Sequence, residues 1–505
     1  MKKTLIIAFA FVLYKDTCGQ SAVKKYAQEP YRPQIHFSPR EHWMNDPNGM
    51  IFYKGVYHLF YQYYPGATVW GPMHWGHATS KDMIHWMHEP IALYPDSLGY
   101  IFSGSAVADI HNSSGLGKYG KIPIVAIFTS HDPKGEKEGK NNYQNESIAY
   151  SLDEGKTWIK YSGNPVLKNP GIKDFRDPKV SWYEAGKKWI MTLATQDHIT
   201  FFSSKDLKNW SKESEFGKEV GAHGGVWECP DLFPLTYNCQ QIWILLVSIN
   251  PGGPNGGSAT QYFTGQFDGK TFTPYQTDTR WVDYGPDDYA GVTWSNTGNR
   301  KLFIGWMSNW EYATVVPTVK WRSAMTIPRT LNLKKVDGKF FIQSMPVKEL
   351  DMIHENTFIE KNIEADTYHL TAKAGSLNGP VQLDIHSDKI KSYSIILSNS
   401  SGEKVTIGYD QTTNEYYIDR TGSGKIDFKK SFAGKFSAPR LSHNNTTDCT
   451  LVIDRASAEL FADSGLTVMT AIFFPTETYS DITFKSSTHF TIKSLKLTRL
   501  KSILQ

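Results

Sequence analysis

At 505 residues the chain exceeds what one hydrophobic core usually organises, so two domains are expected. Its 54 basic and 50 acidic residues leave a net charge of +4 without long runs of either sign, which provides no electrostatic footprint for nucleic acid or an anionic surface. Aromatic residues make up 14%, and Gly, Pro, Ser and Thr stand where strong helix formers would be, so the chain reads as all-β with rings to spare for stacking on sugar faces.

From the amino end, Lys2 and Lys3 precede an apolar run, Leu5 to Leu13, too short to span a bilayer and followed by small residues. Thr17 and Gly19 fit the −3 and −1 positions for cleavage before Gln20, which makes residues 1–19 an export signal. Cys18 offers a rival reading, a lipidated amino-terminal cysteine, but Lys15-Asp16-Thr17 lacks the Leu and small side chains that such processing prefers. Simple cleavage leaves Cys229, Cys239 and Cys449. The first two are candidates for a bridge in an oxidising compartment, although an odd count at wide spacing is no disulfide framework. No later segment approaches transmembrane length, so the expectation is an exported, soluble protein with no obligatory membrane contact unless it is lipidated at Cys18.

Next comes Trp43-Met44-Asn45-Asp46-Pro47-Asn48-Gly49, whose Asp-Pro-Asn-Gly core is by itself a favoured type I turn. Met50–Tyr53, then Lys54-Gly55, then Val56–Tyr61 reads as a hairpin. A weak repeat then begins. Ser80-Lys81-Asp82-Met83-Ile84-His85-Trp86 is matched by the segments starting at Ser151 and Ser204 and, more loosely, by the one starting at Gln266. These copies lie roughly 50 to 70 residues apart, the length of a four-stranded blade, and a β-propeller accounts for them economically. The texture changes after Ile327-Pro328-Arg329. Residues 346–353 suit a short connecting helix, and alternating strands with sandwich-like turn spacing follow to the end. The domain reading is a propeller over residues 31–335 and a β-sandwich over 345–505.

Three carboxylates carry the chemistry: Asp46, Asp177 in Phe175-Arg176-Asp177-Pro178, and Glu228 in Trp227-Glu228-Cys229-Pro230. Framed by an Arg, an Asn and several Trp, they match what cleavage of a sugar acetal requires, one proton donor and one group to meet charge at the anomeric carbon. Each has a plainer alternative: a turn Asp, a surface Arg–Asp pair of little energetic weight, and a buried structural Glu. In the sharper reading Trp43 walls a pocket, Asn45 donates to a sugar hydroxyl and Arg176 keeps neighbouring carboxylates ionised. Trp227 and Cys229 would then raise the Glu228 pKa by desolvation. Rival motifs are weaker. His74/His77 and His85/His88 have ligand-like spacing but sit among Trp and Met without a Cys or acidic partner, so no metal or cofactor is expected. The glycine cluster from Pro251 to Gly257 has no following Lys-Ser/Thr, and Gly104-Ser105 is no nucleophile elbow.

These segments, with Phe60-Tyr61-Gln62-Tyr63, Val69-Trp70-Gly71, Phe102-Ser103-Gly104-Ser105 and Ser308-Asn309-Trp310-Glu311-Tyr312, resemble glycoside hydrolase family 32, the invertase, inulinase and levanase family, in the right order and across nearly the whole processed chain. Gly224 to Leu232 and Gly305 to Trp310 most resemble bacterial levanases. The resemblance implies a five-bladed β-propeller followed by a β-sandwich, with the site on the propeller axis. It also implies Asp46 as nucleophile, Glu228 as acid/base and Asp177 as the carboxylate that steadies the transition state. Asn45, Gln62, Trp70, Phe102, Ser103, Arg176 and Trp310 would line a fructose pocket. The implied partner is a fructan or fructo-oligosaccharide substrate, most of all levan. An inverting arabinan- or xylan-type propeller hydrolase and a non-catalytic sugar binder remain the alternatives.

Overall fold

In the computed structural model, residues 26–504 are described, so the export signal read at residues 1–19 lies outside the described residues. Residues 42–346 form five sheets in which successive strands lie side by side, antiparallel except where Trp321–Arg322 pairs with His42 and Trp43. The first blade holds β1 (His42–Tyr53), β2 (Val56–Tyr64), β3 (His74–Ser80) and β4 (Met87–Leu93). The second holds β5 (Tyr100–Ala108), β6 (Ile124–His131), β7 (Gln144–Ser151) and β8 (Ile159–Lys160). The third holds β9 (Phe175–Tyr183), β10 (Lys188–Thr195), β11 (His198–Ser204) and β12 (Ser211–Phe216). The fourth runs through β13 (Val226–Tyr237), β14 (Gln240–Asn250), β15 (Ala259–Phe267), β16 (Phe272–Pro274) and the short β17 (Arg280–Trp281). The fifth takes β18 (Tyr289–Thr293), β19 (Lys301–Met307), the short β21 (Ala324–Met325), β22 (Arg329–Val336) and β23 (Lys339–Pro346), while β20 (Trp321–Arg322) crosses to pair with β1. The first strands touch in the cycle β1, β5, β9, β13, β18 and back to β1, which closes a ring of five blades around an axis.

The repeat marks one corner of each of four blades, between its third and fourth strands. Ser80 Oγ accepts from the Asp82 and Met83 amides, and Asp82 Oδ1 accepts from Ile84 and His85. Asp153, Asp206 and Asp268 accept from amides of their own turns in the same way. Such Asx and Ser turns substitute a side chain for the missing ladder partner. The fifth blade uses Asp337-Gly338 instead, both at positive φ, the two-residue hairpin turn.

Each axial strand carries a β-bulge, one residue more than its neighbour, at 45–46, 102–103, 177–178, 229–230 and 290–291, and β1 has a second at 49–50. The segment expected as a type I turn is therefore a strand. Asp46 and Gly49 lie in two bulges of β1, and Gly49 has φ +52 with so little room that a Cβ would stand 2.6 Å from the Trp75 ring. The first bulge of each axial strand lies near its starting end, which gathers these side chains at one mouth of the ring.

Lys348–Ile353 forms a 3-10 helix where a short helix was expected. The remaining strands make one ten-stranded sheet folded on itself. Its long last strand, Asp481–Leu500, pairs with 394–398 through its first residues and with 381–386 through its last, so the sandwich is nearly a closed barrel. It docks on the propeller through buried charge. His36 bridges Asp454 and Glu459 at 2.8 Å each, and Arg329 joins Glu459, Asp283 and Asp288. Cys229, Cys239 and Cys449 are all free. The bridge considered between Cys229 and Cys239 is absent because Cys229 sits near the axial start of β13 and Cys239 in the turn beyond its far end. No helix among the described residues is long and apolar enough to cross a membrane.

Candidate active site

The mouth of the ring holds a pocket of about 220 Å³. Asp46 from the first blade, Asp177 from the third and Glu228 from the fourth all line it, with Asn45, Gln62, Trp70, Phe102, Ser103, Arg176 and Trp310. Residues far apart in the chain meet because each axial bulge turns a side chain inward that strict alternation would send elsewhere. Asp177 and Cys229, at φ +65 and +44, occupy the left-handed region that such bulges impose.

Asp46 is held on both oxygens. Asn45 Nδ2 donates to Oδ1 at 2.8 Å, and Ser103 Oγ donates to Oδ2 at 2.7 Å. Trp43 fixes Asn45 by donating Nε1–H to its Oδ1 at 2.7 Å, and its ring stacks on Trp310 at 5.7 Å. Trp43 is wholly buried, so it lies behind the pocket rather than forming its wall; the pocket-facing ring is Trp310. Gln62 donates to Asn48 Oδ1. Trp70 stands at the rim, 40% exposed and edge-on to Phe102.

Arg176 ties the acids together. Nη2 and Nε donate to Glu228 Oε1, Nη1 to Asp174 Oδ1, and Asp177 Oδ2 lies 3.9 Å from Nε. Glu228 Oε2 receives the Tyr289 hydroxyl. The apolar setting expected for Glu228 is not what surrounds it. Trp227 is wholly buried and bonded to the Ala222 carbonyl, while Glu228 faces a guanidinium and a phenol. Cys229 places its thiol between two carboxylates, 3.4 Å from Asp46 Oδ2 and 3.6 Å from Asp177 Oδ2, and its amide donates to Asp177 Oδ2 at 3.0 Å.

Burial, reinforced by the charge of Glu228, pushes the Asp46 carboxyl above the usual carboxylate range despite the opposing hydrogen bonds of Asn45 and Ser103. Burial likewise raises Asp177; Arg176 opposes this, and Glu228 and Asp46 add to it. Burial alone would weaken the Arg176 proton affinity, but Glu228, Asp177 and Asp174 overcome it, so the guanidinium stays charged.

Sequence reasoning missed four lining residues: His131, Glu136, Gln144 and Asp174. His131 stacks flat on Phe102 at 4.1 Å, and burial lowers it to about 4, so it is neutral. Glu136 stands on the helix Pro133–Lys137, capped by Asp132. None of the four lies in a motif read from the sequence; the one local signal was Asp174, two residues before Arg176. The histidine pairs do not form ligand sets. His74 and His77, three apart on β3, face opposite sides, and His77 stacks on Phe60; His85 sits in the corner turn paired with Asp82, while His88 on β4 packs against Phe37. The glycine cluster is a support loop: at Gly257 a Cβ would stand 2.2 Å from Asn309, and Ser258 Oγ accepts from the Trp310 amide.

The sequence matches the model of the glycosyl hydrolases family 32 N-terminal domain over residues 36–344 and that of the family's C-terminal region over 348–499. The chain belongs to glycoside hydrolase family 32. It is 43% identical to a levanase of Bacillus subtilis, a match covering the whole of this chain and 76% of that protein. It is 39% identical to an extracellular exo-inulinase of Aspergillus niger, over 88% of this chain and 90% of the relative. Among solved structures, the exo-inulinase of Aspergillus awamori superposes with a TM-score of 0.85 at 36% identity, covering 94% of this chain and 99% of the other. A fructofuranosidase of Schwanniomyces occidentalis complexed with fructosylnystose gives 0.85 at 33%, with the same coverage. This member of family 32 is thus a glycoside hydrolase of the β-fructofuranosidase type.

Proposed function

We propose that the protein is an exported hydrolase that cleaves β-fructofuranosidic bonds of fructans, levan first, with retention at the anomeric carbon. The observation that carries this reading is the convergence of Asp46, Asp177 and Glu228 from three blades on one pocket. Asp46, with both oxygens oriented by Asn45 and Ser103, attacks C2 of the fructofuranosyl unit. Glu228 gives its proton to the departing oxygen as the C2–O bond breaks. Water, losing a proton to Glu228, then displaces Asp46 and frees the sugar. Asp177 grips ring hydroxyls more tightly as positive charge grows on the ring, which is differential binding of the transition state. Asn45, Gln62, Trp70, Phe102, Ser103, Arg176 and Trp310 shape the fructose pocket, with Trp43 setting Asn45 from behind. Levan as the preferred polymer is supported by the whole-chain likeness to a levanase, and export by Lys2, Lys3 and the apolar run together with extracellular relatives.

A short-time product profile on levan, inulin and sucrose, with the first anomer read by proton NMR, tests this reading. Fructose released fastest from levan with retained configuration supports it; an inverted first product removes the covalent step. D46N and E228Q should each lower kcat by roughly 10⁴-fold or more. A D46N enzyme with near-normal turnover would end the nucleophile assignment.

A further inference from the structure

Behind the pocket lies a fourth buried acid that the hydrolysis does not use. Glu146, on the third strand of the second blade, is completely buried and stands directly across the ladder from Thr129. Its Oε2 accepts from Thr129 Oγ1 at 2.8 Å, and Oε1 has no hydrogen-bond partner. Thr129 Oγ1 in turn accepts the Asp177 amide at 3.0 Å. That amide belongs to the bulge, at φ +65, that aims the Asp177 carboxylate into the pocket. The ladder of β9 on β10 skips residues 177–178, so this donor relies on the hydroxyl.

The second blade supports the same bulge at neighbouring points. Gln144 Oε1 accepts the Phe175 amide, and Ser105 Oγ donates to the Pro178 carbonyl and accepts the Val180 amide. Thr129 differs from these supports because its hydroxyl must send its own proton away from the Asp177 amide, and Glu146 is what receives it. No cation pairs with Glu146 among the described residues, and the charge that acts on it is that of Asp177. An ionised carboxylate with one hydrogen bond in such a place would be very costly. Burial, with Asp177 adding, pushes this carboxyl well above the usual range, in accord with that geometry.

We infer that Glu146, carrying a proton, is a positioning residue for hydrolysis: through Thr129 it orients the Asp177 bulge, and it works as a neutral hydrogen-bond acceptor. This rests on the reading of Asp177 as the carboxylate that grips the ring. A misaimed carboxylate loses contacts that matter most in the transition state, so kcat should suffer more than KM.

The test compares E146Q, E146L, T129V and the double variant T129V/E146L on sucrose and levan, with melting temperatures and pH profiles. E146L and T129V should each lower kcat by about 10- to 100-fold with little change in KM. The double variant should be no worse than T129V alone, because one acts through the other. E146Q keeps the acceptor without the acid and should rescue kcat to within about 2-fold of the parent, with an unchanged pH profile. The idea is overturned if E146Q is as impaired as E146L, if the two losses multiply, or if E146L lowers only the melting temperature. D177N serves as the control: normal turnover there would sink the reading of Asp177 itself, whatever Glu146 does.

Discussion

The pocket and the His36 cluster at the junction between propeller and sandwich both bury carboxylates, yet they treat them in opposite ways, while Asp288 beside Arg329 is raised by burial as the pocket acids are. At the junction, Asp454 accepts from the Gln34, Ile35 and Arg455 amides and pairs with His36, while Glu459 takes the Ile327 amide, His36 and Arg329. Burial would raise both, but these partners win and hold them below the usual carboxylate range. In the pocket, burial and the charges of neighbouring acids keep Asp46 and Asp177 raised. Asp454 and Glu459 are held ionised by His36 and Arg329, whereas in the pocket the repulsion of neighbouring acids adds to burial, which leaves a site poised to take a sugar hydroxyl.

Paired substitutions break this comparison most sharply. D177N should lower kcat by roughly 10³-fold while raising the melting temperature, because a carboxyl raised by folding opposes the folded state at neutral pH. E459Q should do the reverse, costing about 3 kcal/mol of stability as a broken buried pair and leaving KM unaltered. A stabilised E459Q or a destabilised D177N, followed by thermal unfolding, would show that the two regions do not differ as described.

A smaller effect concerns His36, raised from 6.5 to about 9 by Asp454 and Glu459 against the pull of burial. A folded-state pKa above the unfolded one gives stability that is complete below pH 6.5 and lost as pH rises through about 9. Melting temperature should therefore fall across that window in the parent protein. H36Q should be less stable at pH 6 and should have lost this slope. A parallel slope in both would dismiss the pairing.

The smallest effect sharpens the pocket side. Since Asn45 and Ser103 favour the charged form of Asp46, S103A should shift the acid limb of kcat/KM upward, by up to about one pH unit. In the parent that limb should already lie above the ordinary Asp value of about 4. A limb shifted downward in S103A would contradict the assigned sign.

The four repeated corners were legible because an Asx turn is local: its side chain bonds amides two to four residues on. The fifth blade escaped because Asp337-Gly338 replaces that corner and residues 308–328 interrupt the spacing. Asp46, Asp177 and Glu228 were legible through their acid chemistry and their settings among Trp, Asn and Arg. Trp43, expected as a pocket wall, lies wholly buried behind Asn45, which it holds through its indole N–H.

The amino-acid sequence by itself determined the strands, their corners and which acids have chemistry to offer, since turn bonding and side-chain type are local properties. Which side of the axis those acids face, the His131–Gln144–Asp174 wall and the Thr129–Glu146 support were decided only by the closed ring. Each extra residue in an axial strand reverses a side chain's direction, and only the packing of neighbouring blades says where that residue falls.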